Sequence, residues 1–150
     1  MNLTFAAVAI TVLLFVSSPI ECAAQATPTT LPNPVLHLLG QEAYSRGGKN
    51  FIRYRYGVSN SSSYPDEMFA AAPSLPPCGA NKNSSRTWVD VFDQRGERLY
   101  GFCAMAKRDD LNTIWFAIPE NEIPPSWIYI ELNDRQTGLK YKSNLAETTL

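Results

Sequence analysis

From residue 51 onward the chain contains no apolar stripe with a helical repeat. It contains short runs rich in Val, Ile, Tyr, Phe and Trp, each closed by a cluster of Gly, Pro, Asn or Asp. Such runs bury one face of an extended chain, so they specify strands and exclude a helical bundle. They cover 51–58, 86–93, 97–106, 113–118, 127–133 and 139–143, with a shorter and weaker one at 67–71. About seven strands separated by turn signals predict a single all-β antiparallel sandwich over 51–145. Residues 146–150 read as a flexible tail.

Two hairpins are legible in detail. Asp93-Gln94-Arg95-Gly96-Glu97 fits a type I turn whose glycine takes the left-handed position of a bulge. Pairing Asp93 with Glu97 puts Val89, Val91, Leu99, Gly101 and Cys103 on one face, with Thr87 opposite the cysteine. Trp88 then lies beside Phe102, Asp90 beside Tyr100 and Phe92 beside Arg98 on the other. The aliphatic face is the expected core. In 127–132 the same alternation turns Ile128, Ile130 and Leu132 inward and Trp127, Tyr129 and Glu131 outward. A polar turn, Asp134-Arg135-Gln136-Thr137-Gly138, then leads into Leu139-Lys140-Tyr141-Lys142. This succession of strand, polar turn and final strand resembles the last two strands of immunoglobulin-like or fibronectin type III-like domains. The resemblance spans about 20 residues and implies a fold class, with no activity attached.

The N-terminal part predicts export. Residues 5–18 are apolar and uncharged, Pro19 breaks the run, and Ala24-Gln25-Ala26 follows as a small-residue cleavage site. The run is short for a bilayer span, so 1–26 reads as a signal peptide cut after Ala26, with Ala24 as second choice. An uncleaved N-terminal anchor is the alternative, since Met1-Asn2-Leu3-Thr4 carries no basic side chain. Glu21 before Cys22 disfavours a lipoprotein. The expected location is secreted or periplasmic, with no stable membrane anchor after cleavage. Residues 27–50 read as an extended Pro/Thr-rich leader with a short helix around Val35, Leu36, Leu38 and Leu39, ended by Gly40 and Gly47-Gly48.

Cleavage removes one acid, Glu21, from 13 basic and 14 acidic side chains and leaves the two balanced. A neutral chain has no electrostatic footprint for nucleic acid, and the alternation of Arg and Tyr at 53–56 reads as an ordinary strand. Cleavage also removes Cys22, so Cys78 and Cys103 are the expected disulfide of an oxidising compartment. Closing a loop of about 26 residues is worth roughly 3 kcal/mol. The bridge would brace the Pro-rich loop 73–85, where Pro76, Pro77, Gly79 and Asn81 form a candidate functional loop. Asn60-Ser61-Ser62 and Asn83-Ser84-Ser85 are glycosylation sequons if the pathway is eukaryotic.

Candidate chemistry is thin. The single histidine, His37, lies outside the confident strands and reads as a packing or surface residue. No cofactor motif and no metal-ligand spacing is recognised, and the acids Asp90, Asp93, Asp109 and Asp110 lack the spacing of a calcium loop. Asp90 and Glu131 are the one carboxylate pair suited to a small glycosidase-like hydrolase. The favoured reading is a non-catalytic module that recognises a protein or a glycan through a surface of Trp88, Asp90, Tyr100, Phe102, Trp127 and Tyr129. A secreted protease inhibitor presenting loop 73–85 is a further alternative.

Overall fold

A computed structural model describes residues 30–77, 85–103 and 105–149. Among the described residues are eight strands: β1 (Leu36–Arg46), β2 (Lys49–Val58), β3 (Thr87–Asp93), β4 (Arg98–Phe102), β5 (Ile114–Pro119), β6 (Trp127–Asp134), β7 (Lys140–Lys142) and β8 (Ala146–Glu147). One sheet has the order β1-β2-β5 and the other β4-β3-β6-β7, and all pairings are antiparallel. β7 and β8 share one edge of β6, against Glu131–Asn133 and Trp127–Ile128 respectively. No helix among the described residues is long and apolar enough to cross a membrane.

The inner faces follow from alternation. Tyr54, Tyr56, Ile114 and Phe116 from one sheet meet Val89, Val91, Ile128, Ile130 and Leu132 from the other, all buried in one cluster. Each such aliphatic side chain contributes about 1.5–3 kcal/mol by leaving water. The short 3-10 turns Ser61–Ser63, Asp66–Phe69 and Arg108–Asn112 fold over this core, and the last two bury Met68, Phe69 and Leu111.

The expected leader and helix at 27–50 require correction. Gly47 and Gly48 have φ of 59° and 73° and form the two-residue turn of a hairpin in which Arg46 faces Lys49. Consecutive left-handed residues are what such a turn demands, and glycine supplies them without strain. The glycines that read as a helix stop therefore start a strand pair, and the sandwich begins at Leu36. A register shift between Leu38 and Gly40 interrupts the alternation that would otherwise have marked β1. The weak run at 67–71 is mainly a 3-10 turn, with Ala71 alone bridging to Ser85. The supposed flexible tail is docked: β8 pairs with β6, and Thr148, 1% exposed, donates its hydroxyl to the Pro125 carbonyl at 2.6 Å.

The β3–β4 turn forms as expected. Asp93 Oδ1 accepts the amides of Arg95 and Glu97 at 2.9 and 2.8 Å, and Gly96 sits at φ 88°. Burial raises the Asp93 carboxyl's proton affinity, but these amides and the Arg95 side chain outweigh it and hold the pKa below its usual range. Gly96→Ala is expected to lower stability by about 1 kcal/mol, read from the urea midpoint, because a Cβ is strained in that conformation. Beyond the turn the register departs from the expectation. Phe92 faces Arg98, but Val91 faces Tyr100 and Val89 faces Phe102. β4 thus carries one extra residue between Arg98 and Tyr100, and such a bulge reverses the faces of the residues beyond it.

Candidate functional site

The bulge divides the surface that sequence alternation had assembled. Trp88, Asp90, Phe92 and Tyr129 lie on the outer face of the five-stranded sheet, and cations cover two of its rings. The Arg135 guanidinium lies 5.2 Å from the Trp88 ring centre, and Lys142 Nζ lies 3.9 Å from that of Tyr129. Phe92 stacks on Tyr129 at 5.2 Å, leaving Tyr129 buried. Trp127, at the start of β6, is 40% exposed. These side chains pack the sheet's outer face and do not form one open platform with Tyr100 and Phe102.

Asp90 and Glu131 are direct cross-strand partners. Each has its own cation. Asp90 accepts Arg98 Nε at 2.6 Å and Asn133 Nδ2 at 3.3 Å, while Lys140 Nζ lies 3.5 Å from Glu131. His37 is exposed and shares a hydrogen bond with the Ser59 hydroxyl.

Tyr100 and Phe102 join a different set of rings. Trp115, which points outward from β5, lies 4.8 Å from Tyr100 and 6.0 Å from Phe102. The Arg53 guanidinium is 4.9 Å from Trp115 and 4.4 Å from Tyr44, and Tyr44 stacks on Phe51 at 5.4 Å. Glu42 holds Arg53 with an ion pair of 2.9 Å. The series Phe51, Tyr44, Arg53, Trp115, Tyr100, Phe102 therefore crosses the outer face of the three-stranded sheet and continues onto β4. Register explains it: Tyr44 faces Phe51, and Arg53 faces both Glu42 and Ala117. Rings and a guanidinium at these distances attract one another, so neighbouring members of the ladder hold each other in place. Sequence reasoning missed Tyr44, Phe51, Arg53 and Trp115. The Gly47-Gly48 hairpin and the alternation in Ile114-Trp115-Phe116-Ala117 were the signals available.

At the Phe51 end the surface is concave. A groove of about 580 Å³ is lined by Lys49, Asn50, Phe51, Pro119, Glu120, Asn121 and Glu122. A second of about 370 Å³, lined by Tyr44, Ser45 and Ala43, shares Asn50 and Glu120 with it. Ile123, beside the first groove in sequence, is 95% exposed. A smaller slot of about 150 Å³ runs past Trp88, Leu139 and Lys140.

The candidate loop is tied down at its described ends. Arg135 donates to the carbonyls of Ser85 and Pro76, and Pro76 and Pro77 are exposed. Gly79, Asn81 and Cys78 lie outside the described residues. Cys103 is half-buried and is not a free thiol, but its expected pairing with Cys78 falls outside them. Asn60 of the first sequon has its amide engaged, donating to Asn33 O at 2.9 Å while its carbonyl accepts the Val35 amide at 2.8 Å. Beneath the loop, Arg86 grips Asp134 through two bonds of 2.7 and 2.6 Å, and Thr137 and the Gln136 amide also donate to that carboxylate. Burial pushes its pKa up, yet these bonds and the Arg86 charge dominate and bring it down to about 2.

Comparison with protein-family models, with curated proteins and with solved structures returns no match for this chain. Its functional reading therefore rests on geometry.

Proposed function

We propose that the chain is an exported, non-catalytic recognition module that binds a protein or a glycan outside the cytoplasm through the ladder from Phe51 to Phe102. The observation that carries this reading is the ladder itself: rings and a guanidinium in contact in a fixed order, running from the outer face of the three-stranded sheet onto β4, where Tyr100 is 39% exposed. Rigid aromatic side chains bind at low entropic cost, which is why they anchor interfaces and sugar sites alike.

The strand order supports a fibronectin type III-like variety of sandwich. Its fourth strand pairs with the third, whereas in an immunoglobulin constant-type domain the fourth joins the sheet of the first, second and fifth. Export is supported by the apolar run at 5–18 and the Ala24-Gln25-Ala26 site, and a Cys78–Cys103 bridge by the compartment this implies.

The register adjacency of Asp90 and Glu131 favours a glycosidase-like reading, because directly opposed side chains stand about 5 Å apart, near the spacing of a retaining pair. Arg98 and Lys140 oppose it: each carboxylate is already engaged by its own cation, which a substrate would have to displace.

Tyr100→Ala tests the recognition reading with little risk to the fold. Immobilised 27–150 is expected to capture its partner from the surrounding extracellular fluid, and the variant to retain about a tenth of that binding or less. Unchanged capture would overturn the reading.

A further inference from the structure

The two grooves at the Phe51 end are built by backbone pairing. Phe51 faces Pro119 across β2 and β5, the Glu120 amide donates to Asn50 O at 3.1 Å, and the Glu122 amide donates to Pro119 O at 3.0 Å. The backbone that carries the cleft's side chains is therefore held at fixed positions on a sheet end. Their volumes, about 580 and 370 Å³, fall in the range of small-ligand pockets.

The chemistry there is mixed in a particular way. Phe51 ends the ring ladder: it stacks on Tyr44 and also lines the larger groove. Ser45 donates its hydroxyl to Asn50 Oδ1 at 2.8 Å, which leaves the Asn50 amide nitrogen as a donor. Lys49, Glu120 and Glu122 have no ion-pair partner among the described residues. The cleft thus offers an aromatic wall, three donors (Lys49, Asn50 and Asn121) and two carboxylate acceptors, with a small excess of negative charge. A ring that is apolar on its faces and carries hydroxyls around its rim satisfies all of these at once. A phosphate or a uronic acid would instead meet the carboxylates.

We propose that these grooves bind a neutral oligosaccharide. One sugar ring stacks on Phe51 and presents its hydroxyls to Glu120, Glu122 and Asn50. The next unit lies in the smaller groove beside Tyr44, with Asn50 and Glu120 between the two. The proposal rests on the recognition reading and selects a glycan over a protein as the ligand.

The test is a titration of isotopically labelled 27–150 with neutral oligomers of glucose, mannose, xylose and N-acetylglucosamine, followed by amide NMR shifts. At least one oligomer is expected to shift residues 49–51 and 119–122 saturably. Glu120→Ala, an exposed substitution, is expected to weaken that binding about tenfold with the thermal midpoint unchanged, and Asn50→Ala to do the same. Absence of saturable shifts with all four, or an affinity indifferent to Glu120→Ala, would overturn the proposal. Capture that still depends on Tyr100 would then leave the recognition reading standing with a protein as partner. Sugar binding that depends on Glu120, together with capture indifferent to Tyr100→Ala, would retain the grooves and remove the ladder from the site.

Discussion

Arg86→Ala is expected to cost about 3 kcal/mol of stability, because it leaves the Asp134 carboxylate, 3% exposed, without its cation. The same pair fixes three things at once: the start of β3, the β6–β7 turn and, through the adjoining Arg135, the described ends of the Pro-rich loop. Acid titration gives an independent signature. The Asp134 pKa is about 2 in the folded protein, below the value of about 3.9 for a free aspartate in the unfolded chain. A depressed folded-state pKa stabilises the fold above the unfolded value, and the benefit is lost as pH falls from about 4 towards 2. Urea midpoints measured across that window are expected to fall for the wild type and to fall less steeply for Arg86→Ala. Parallel slopes would mean that Arg86 does not set the Asp134 titration.

Trp115→Ala is expected to have the largest effect on recognition, about thirtyfold, corresponding to roughly 2 kcal/mol. Its ring is the only described link between the Arg53–Tyr44–Phe51 half of the ladder and the Tyr100–Phe102 half. Removing it takes one ring from Arg53, which Glu42 and Tyr44 still hold, and one from Tyr100, which still meets Phe102, so the two halves lose their connection to each other. The ring is half-buried, so the fold is expected to lose about 1–2 kcal/mol, less than a fully buried tryptophan would cost. Trp115→Phe keeps a π face and is expected to restore most of the binding. A loss of binding that simply tracks loss of fold in both variants would make the ring a packing residue.

Much of the sandwich was legible because strand alternation is a local signal. Thr87, Val89 and Val91, and Ile128, Ile130 and Leu132, turn inward as their spacing predicts, and the Asp93–Glu97 and Asp134–Gly138 turns form where aspartate and glycine call for them. β1 was not legible, since Leu38-Leu39-Gly40 breaks the alternation at the register shift and Gly47-Gly48 stops a helix as readily as it turns a hairpin. The site was legible only in part. Tyr100 and Phe102 were recognised as candidates, but a one-residue bulge in β4 leaves no mark in the sequence and moved them away from Trp88 and Tyr129. Their actual neighbours, Trp115 and Arg53, come from strands distant in the chain, and only the β2–β5 pairing and the approach of β4 to β5 bring them together.

Recognition and catalysis separate most directly in one paired measurement on folded 27–150. Partner capture from extracellular fluid and hydrolysis of the captured glycan or protein are followed for the wild type, Trp115→Ala and Asp90→Asn. The recognition account expects capture by the wild type and by Asp90→Asn, loss of capture in Trp115→Ala, and no turnover by any of them. Turnover by the wild type that Asp90→Asn abolishes, with capture indifferent to Trp115, would contradict it.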